Sequence, residues 1–127
     1  MKTAIQKHRI TAFQRQSGRC FYCGLPMWQS QPEVFAQAHG LTLAQVKGLQ
    51  CTAEHLHARC DGGKDKADNI VAACSICNRR RHAGKKMALS PMDYAWKVNA
   101  RIQQMKWHDL ALLRGLAGEG NSGAGVG

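Results

Sequence analysis

Two pairs of cysteines in the 127-residue chain have the spacing of metal ligands. Cys20 and Cys23 form one C-x-x-C pair, and Cys74 and Cys77 form a second pair about fifty residues later. Each pair can present two thiolates to a tetrahedral Zn²⁺, and four thiolates fill its coordination shell. Such a closed site contributes to folding and leaves no position for a substrate. The spacing therefore predicts a structural zinc site; the alternative is four ordinary buried thiols.

A second group of reactive side chains lies within residues 52–82, TAEHLHARCDGGKDKADNIVAACSICNRRRH. Glu54 and His55 are adjacent, Asn69 follows His55 by fourteen positions, and Asn78 comes directly after the second cysteine pair. Histidine ionises near neutral pH and can accept a proton from water. Carboxylate and amide oxygens suit a hard divalent ion such as Mg²⁺. The segment therefore contains both a candidate base and candidate metal ligands.

The charge balance of the chain favours a polyanionic partner. Lys and Arg number 18 against 8 Asp and Glu, which gives a formal net charge of +10 and a pI near 9.7. A basic balance of this size is typical of proteins that bind nucleic acid. We expect nucleic acid as the partner, with an acidic membrane surface as the weaker alternative.

The sequence offers no candidate for a membrane span or a secretion signal. No apolar run approaches the roughly 20 residues needed to cross a bilayer, and the N-terminal MKTAIQKHRITAF lacks the apolar centre of a signal peptide. We therefore predict a cytoplasmic protein without a membrane partner. Because thiols stay reduced in the cytoplasm, the cysteines indicate metal ligation more than disulfides. Cys51 and Cys60, outside the two pairs, are expected to be plain thiols.

A hairpin and a helix are expected around the second group of residues. Residues 49–57 have the pattern of a strand, and NIVAA at 69–73 has that of a returning strand. A helix beginning near Cys74 would carry Asn78 and His82 on one face, because they are four residues apart. That face is offset from the cysteines, so one helix can serve two metal sites.

Further helices are expected on both sides of this core. The pattern predicts one helix over about 3–16, a helical insertion over about 32–48, and a C-terminal helix over about 91–116 with Ser90 as its cap. The Gly-rich residues 117–127 are expected to form a flexible tail. We predict a single domain over residues 1–116, whose core occupies about 49–86.

The segment 52–82 resembles the HNH endonuclease family in its H-N-N form. The pattern of that family is an acidic residue before His, a Gly-Gly loop, an Asn before an apolar strand, and C-x-x-C followed by His or Asn. The counterparts here are Glu54-His55, Gly62-Gly63, Asn69 before IVAA, and Cys74-x-x-Cys77-Asn78. The resemblance reaches back to Cys20 through the CFYCG knuckle and does not cover the flanking helices.

The resemblance implies an α+β fold of the ββα-metal type, with a zinc knuckle beside it and additional helices around it. It implies that His55 is the general base, that Asn69 holds the loop and so orients His55, and that Glu54 and Asn78 ligate a catalytic divalent ion. Mg²⁺ is the first expectation for that ion, with Mn²⁺, Ni²⁺ or Zn²⁺ as alternatives. For His82, metal ligation and phosphate contact both stay open.

Two features depart from a simple match. Adjacent residues of a regular strand point to opposite faces, so Glu54 and His55 can address one site only if the strand ends or bulges there. The family also has Asp more often than Glu at the position of Glu54, and the extra methylene shifts the carboxylate.

The basic residues after the second cysteine pair are expected to contact phosphate, because they lie beside the candidate site. The alternative is a solvated helix face. These residues are Arg79, Arg80, Arg81, Lys85 and Lys86.

The sequence thus predicts a metal-dependent endonuclease that hydrolyses phosphodiester bonds in DNA through His55 and one catalytic ion. The alternative is a zinc-knuckle protein that binds nucleic acid without catalysis. A binding knuckle explains the charge and the cysteines equally well, but it has no need of Glu54, His55, Asn69 or Asn78. Sequence specificity, oligomeric state and biological role stay open.

Overall fold

The computed structural model describes residues 1–84 and 88–118. Short helices surround one two-stranded sheet. In chain order the elements are α1 (Ala4–Arg15), α2 (Pro32–Ala38), α3 (Leu43–Val46), β1 (Cys51–His55), β2 (Ile70–Cys74), α4 (Ser75–His82), α5 (Pro91–Gln103) and α6 (Leu110–Leu116). The expected α+β class with a ββα core is confirmed.

The sheet is an antiparallel pair of strands, and its register brings together the two ends of the loop that connects them, residues 56–69. Cys51 lies opposite Cys74, and His55 lies opposite Ile70. All five residues of β2 are buried, whereas in β1 Cys51 and Glu54 are buried and the other three are partly exposed. α4 follows β2 without a linker, because the side chain of Cys74 accepts a hydrogen bond from the Cys77 amide (3.4 Å) and caps the helix.

Side chains form hydrogen bonds with backbone groups along both outer edges of the sheet. On β2, the Gln16 amide donates to the Ala72 carbonyl (2.8 Å) and accepts from the Ala72 amide (3.0 Å). On β1, Asn78 Nδ2 donates to the Ala53 carbonyl (3.3 Å) and Arg81 Nη1 donates to the His55 carbonyl (3.2 Å). An isolated two-stranded sheet is marginal in water, so these bonds and the packing of α1 across both strands support it.

The N-terminal half agrees with the helices expected there. Thr3 caps α1 and forms a reciprocal pair of hydrogen bonds with Gln6. In the helical insertion, Thr42 caps α3 in the same way with Gln45, and a short 3-10 turn, Lys47–Leu49, leads into β1.

The C-terminal helix expected over 91–116 is wrong as a single element. Ser90 caps α5 as expected, but α5 ends at Gln103, and Asp109 caps a separate helix, α6. Between them Met105 takes a left-handed conformation with φ 58°. This break lets Trp107 turn into the core, where 8% of it is exposed. Burial of the indole explains why the helix does not continue.

The core joins the knuckle, the sheet and α5. Tyr22 packs edge-on against Tyr94 at 4.8 Å between ring centroids, and Tyr94 packs against Trp107 at 6.0 Å.

Among residues 1–84 and 88–118, none of the helices has the length and apolar content needed to cross a membrane. Of the tail expected at 117–127, all but Ala117 and Gly118 lies outside the described residues.

Candidate functional site

The four cysteines of the two pairs form one cluster where β2 passes into α4. One Sγ atom from each lies within 4.8 Å of the other three, and the Sγ atoms of Cys23 and Cys74 are 3.9 Å apart. The sulfur atoms of a tetrahedral Zn²⁺ site, with Zn–S bonds of about 2.3 Å, lie about 3.8 Å apart. Cys20, Cys74 and Cys77 are buried. The cluster therefore fits a structural zinc ion.

Donors around the cluster are arranged for thiolate sulfur. Amide N–H groups of Tyr22 (3.4 Å) and Cys74 (3.3 Å) donate to Cys20 Sγ, and the Trp107 indole donates to Cys77 Sγ (3.4 Å). Hydrogen bonds from the neighbouring thiols, that of Cys23 first, hold the pKa of Cys20 well below its ordinary value. The contact with Cys20 in turn raises the pKa values of Cys23 and Cys77. Four sulfurs this close need a cation to ionise together.

Glu54, His55 and Asn78 of the second group meet at a cavity where β1 ends, and Asn69 does not line it. Glu54, His55, Asn78 and His82 all line this cavity, which has a volume of about 480 Å³. His55 is the last residue of β1. Ending the strand at His55 lets two adjacent side chains reach one cavity, which answers the difficulty posed by strand alternation.

Glu54 is held in place by three side chains. Only 2% of it is exposed. Its Oε2 accepts hydrogen bonds from the Tyr22 hydroxyl (2.9 Å) and from Arg81 Nη1 (2.7 Å), while its Oε1 lies 3.1 Å from His82 Nε2. Burial, followed by the charge of Glu54, raises the pKa of Tyr22, so the phenol stays a donor. One carboxylate oxygen therefore faces His82, and the other is used inside the protein.

Arg81 differs from its expected role. It is 4% exposed and donates to Glu54, to the His55 and Leu56 carbonyls, and twice to the Leu89 carbonyl. The expectation that Arg81 contacts phosphate is wrong, because its position on α4 faces the hairpin and its guanidinium neutralises a buried carboxylate. Nothing in the run RRRH distinguished its third arginine, Arg81, as the one that points inward.

Asn78 and His82 lie one turn apart on α4. Asn78 Nδ2 donates to Thr52 Oγ1 (3.0 Å) and to the Ala53 carbonyl (3.3 Å), so its amide nitrogen points to the sheet. The His82 side chain is 37% exposed. With Glu54 Oε1, the cavity offers a carboxylate oxygen, an amide and an imidazole. This donor set fits a divalent cation of the Mg²⁺ to Zn²⁺ series.

His55 contacts a carboxylate that the sequence pattern did not single out. Its Nε2 lies 2.7 Å from Asp65 Oδ1. Arg59 donates to both oxygens of Asp65, from Nε at 3.1 Å and from Nη2 at 2.9 Å. Arg59 first, and then His55, hold the pKa of Asp65 below its usual range. The signal in the sequence that could have pointed to Asp65 was its opposite charge to Arg59, six residues earlier in the same short loop.

Asn69 fastens the loop that carries Asp65. Its Oδ1 accepts from the His57 amide (2.8 Å), and its Nδ2 donates to the His57 (3.0 Å) and Lys64 (2.9 Å) carbonyls. The Gly-Gly pair permits the tight path: Gly62 has φ 92°, and a Cβ on Gly63 would collide with the His57 carbonyl. The loop is thus closed on the end of β1.

Two further basic residues of the prediction, Arg79 and Arg80, lie on the exposed side of α4. Arg79 is exposed and lines a cleft of about 450 Å³ together with Asn78 and His82. It also lines a neighbouring cavity of about 620 Å³ with Arg80 and Lys47. Arg80 donates to the Trp107 carbonyl (2.6 Å), and its guanidinium lies 4.8 Å from the Trp107 ring centroid. Lys85 and Lys86 lie outside the described residues.

Comparison with known proteins gives one finding. Residues 41–84 match the family model described as HNH endonuclease. No curated protein and no solved structure matches the chain. The matched segment contains the hairpin, α4 and the residues that line the cavity except Ile5, and it excludes Cys20 and Cys23. Residues 41–84, about a third of the chain, are therefore similar to the HNH endonuclease family.

Proposed function

We propose that the protein is a metal-dependent endonuclease that hydrolyses phosphodiester bonds in DNA, with His55 as general base and one catalytic divalent ion. The supporting observation is that Glu54, His55, Asn78 and His82 line one cavity beside the exposed Arg79. The HNH match over residues 41–84 supports a nuclease-like activity; the substrate, the mechanism and the domain boundaries at 1–116 are our proposals.

Each residue has a role set by its contacts. Glu54 Oε1, Asn78 and His82 would hold the ion, which supplies positive charge against the charge that develops on the phosphate and the leaving oxygen. His55 accepts a proton from the attacking water. Tyr22 and Arg81 keep Oε2 of Glu54 occupied, so the carboxylate keeps one orientation. Asn69 fixes the loop beside His55.

DNA is the proposed partner because the surface beside the cavity carries the basic residues Arg79, Arg80 and Lys47. Arg79 lines both the cleft that it shares with Asn78 and His82 and the cavity lined by Lys47 and Arg80. The whole chain carries a formal charge of +10. Arg and Lys beside a phosphodiester site supply contacts to the backbone without reading sequence. The four-thiolate cluster supports a reducing compartment such as the cytoplasm.

The test is cleavage of supercoiled plasmid by zinc-loaded protein with Mg²⁺, Mn²⁺, Ni²⁺ or additional Zn²⁺. We expect nicked or linear products with at least one ion. His55→Ala should lower the rate by about 10²- to 10⁴-fold, the usual contribution of a general base. Binding to DNA should persist in this variant, because Arg79 and its neighbours are unchanged.

His57→Ala is the matched control. His57 lies two residues after His55 and is exposed, and its hydrogen bonds with Asn69 are made by its backbone. It should therefore cleave at close to the wild-type rate. A folded wild-type protein that binds DNA but cleaves it with none of the four ions would favour the alternative, a zinc-knuckle binding protein.

A further inference from the structure

We infer that Asp65 and Arg59 are positioning residues that fix the tautomer of His55, so that the general base acts through Nδ1. The inference deepens the proposed function and rests on it. It assigns the base to one ring nitrogen and gives roles to two residues outside the family pattern.

The tautomer follows from the chemistry of the contact. An ionised carboxylate has no proton to donate, so Asp65 Oδ1 can only accept from His55 Nε2 across their 2.7 Å separation. Neutral imidazole carries a proton on one nitrogen only. With the proton on Nε2, the lone pair lies on Nδ1.

The proton then has one path. Nδ1 takes a proton from the attacking water, and the oxygen of that water forms the new bond to phosphorus. The bond from phosphorus to the leaving oxygen breaks, and the leaving oxygen takes a proton from solvent. The imidazolium that forms keeps its Nε2–H on Asp65, whose negative charge stabilises it.

Arg59 and Asn69 keep Asp65 within reach of His55. Arg59 donates to both oxygens of Asp65, which fixes the plane of the carboxylate. Asn69 Nδ2 donates to the carbonyl of Lys64, the residue before Asp65. Asn69 thus acts on His55 by holding the loop that carries Asp65.

Because Asp65 and Arg59 are exposed, their effect on the His55 ring can be measured apart from any effect on the stability of the fold. The side chains of Asp65 and Arg59 are 39% and 58% exposed. Ion pairs this exposed add little to the stability of a fold. Substitution of Asp65 should therefore change the state of the His55 ring and leave folding and zinc content unchanged.

A measurement of the tautomer tests the inference without catalysis. The ¹⁵N shifts of the His55 ring would be recorded on zinc-loaded protein at a pH where the imidazole is neutral, with His55→Ala for assignment. We expect a protonated Nε2 and an unprotonated Nδ1. Asp65→Asn should lose this preference, because an amide can donate as well as accept. A protonated Nδ1 in the wild type would overturn the inference.

Asp68→Asn is the control for charge. Asp68 lies in the same loop, is exposed, and makes no side-chain hydrogen bond or ion pair within the described part of the chain. The substitution removes the same charge as Asp65→Asn, and it should leave the His55 shifts as in the wild type. Equal shift changes in both variants would mean that loop charge, and not the Asp65 contact, sets the tautomer, and this result would also overturn the inference.

Kinetics supply the second readout. Asp65→Asn should lower kcat by about 10- to 100-fold with KM nearly unchanged, as for other residues that orient a reactive side chain. Asp65→Glu should recover part of that loss, and Arg59→Ala should cost less than Asp65→Asn, because the carboxylate remains. Full kcat in Asp65→Asn together with unchanged ring shifts would refute the inference.

Failure of the inference and failure of the proposed function give different results. If wild-type protein cleaves and His55→Ala does not, the function stands whatever Asp65 does. If the wild type never cleaves, the function fails, and the ring shifts still show whether Asp65 sets the tautomer.

Discussion

The cysteine cluster and the cavity at the end of β1 share α4 but are built in opposite ways. Cys74 and Cys77 are fully buried, and backbone amides provide most of the donors to the cluster sulfurs. In the cavity, His82 is partly exposed, and side chains such as Tyr22, Arg81 and Asp65 orient the reactive groups. A zinc ion held in the closed site would stabilise the fold, whereas the open cavity has the space that the proposed function requires for a substrate.

The largest effect should come from opening the closed site. Cys77→Ser removes one thiolate, and because metal binding and folding are coupled in such sites, we expect loss of zinc and of the native fold. Elemental analysis and far-UV circular dichroism would measure both.

Cys60→Ser is the control for that change. Cys60 is exposed and lies outside the cluster, so its substitution should leave zinc content and spectrum unchanged. A Cys77→Ser protein that stayed folded without zinc would break the comparison, because the cluster would not be what stabilises the fold.

The next effect should come from the buried ion pair between Arg81 and Glu54. Arg81→Met leaves Glu54 buried without its positive partner, which typically costs about 3–5 kcal/mol in the free energy of unfolding. Chemical denaturation would measure it. Adding Glu54→Gln should restore part of the loss, because the unpaired charge is gone; a double variant no more stable than Arg81→Met would contradict this account.

A smaller effect is expected at the open site itself. His82→Ala removes an imidazole 3.1 Å from Glu54 Oε1. If His82 is a ligand, the ion concentration for half-maximal cleavage should rise by about 10- to 100-fold and excess ion should restore activity, while zinc in the cluster stays bound. Calorimetric titration of zinc-loaded protein with Mn²⁺ would report the same change. Identical midpoints would remove His82 from the coordination sphere.

The smallest effect should come from the exposed side of α4. Arg79→Ala should weaken DNA binding and lower the slope of log K against log salt by about one, with folding unchanged. Fluorescence anisotropy at several salt concentrations would measure the slope. Arg101→Ala, an exposed change on α5, should have no such effect. Equal slopes in the two variants would show that Arg79 contacts no phosphate.

Short-range patterns in the sequence predicted the closed site and the hairpin. The C-x-x-C spacing and the strand patterns of residues 49–57 and 69–73 depend on neighbours in the chain, so they are visible in the sequence. The partners of Glu54 are not, because Tyr22 is 32 residues before it and Arg81 is 27 residues after it. The break before Asp109 follows from burial of Trp107 against Cys77, another long-range contact.

The side chains along the sheet edges also bear on self-association. A strand edge with free N–H and C=O groups can pair with a strand of another chain, and this pairing is how many proteins aggregate or recruit extended peptides. Here the amide of Gln16 fills the position that a neighbouring strand would take beside Ala72, and Asn78 and Arg81 use the carbonyls of Ala53 and His55. Gln16 on the β2 edge and the cavity-side residues Asn78 and Arg81 on the β1 edge therefore help to keep the sheet at two strands.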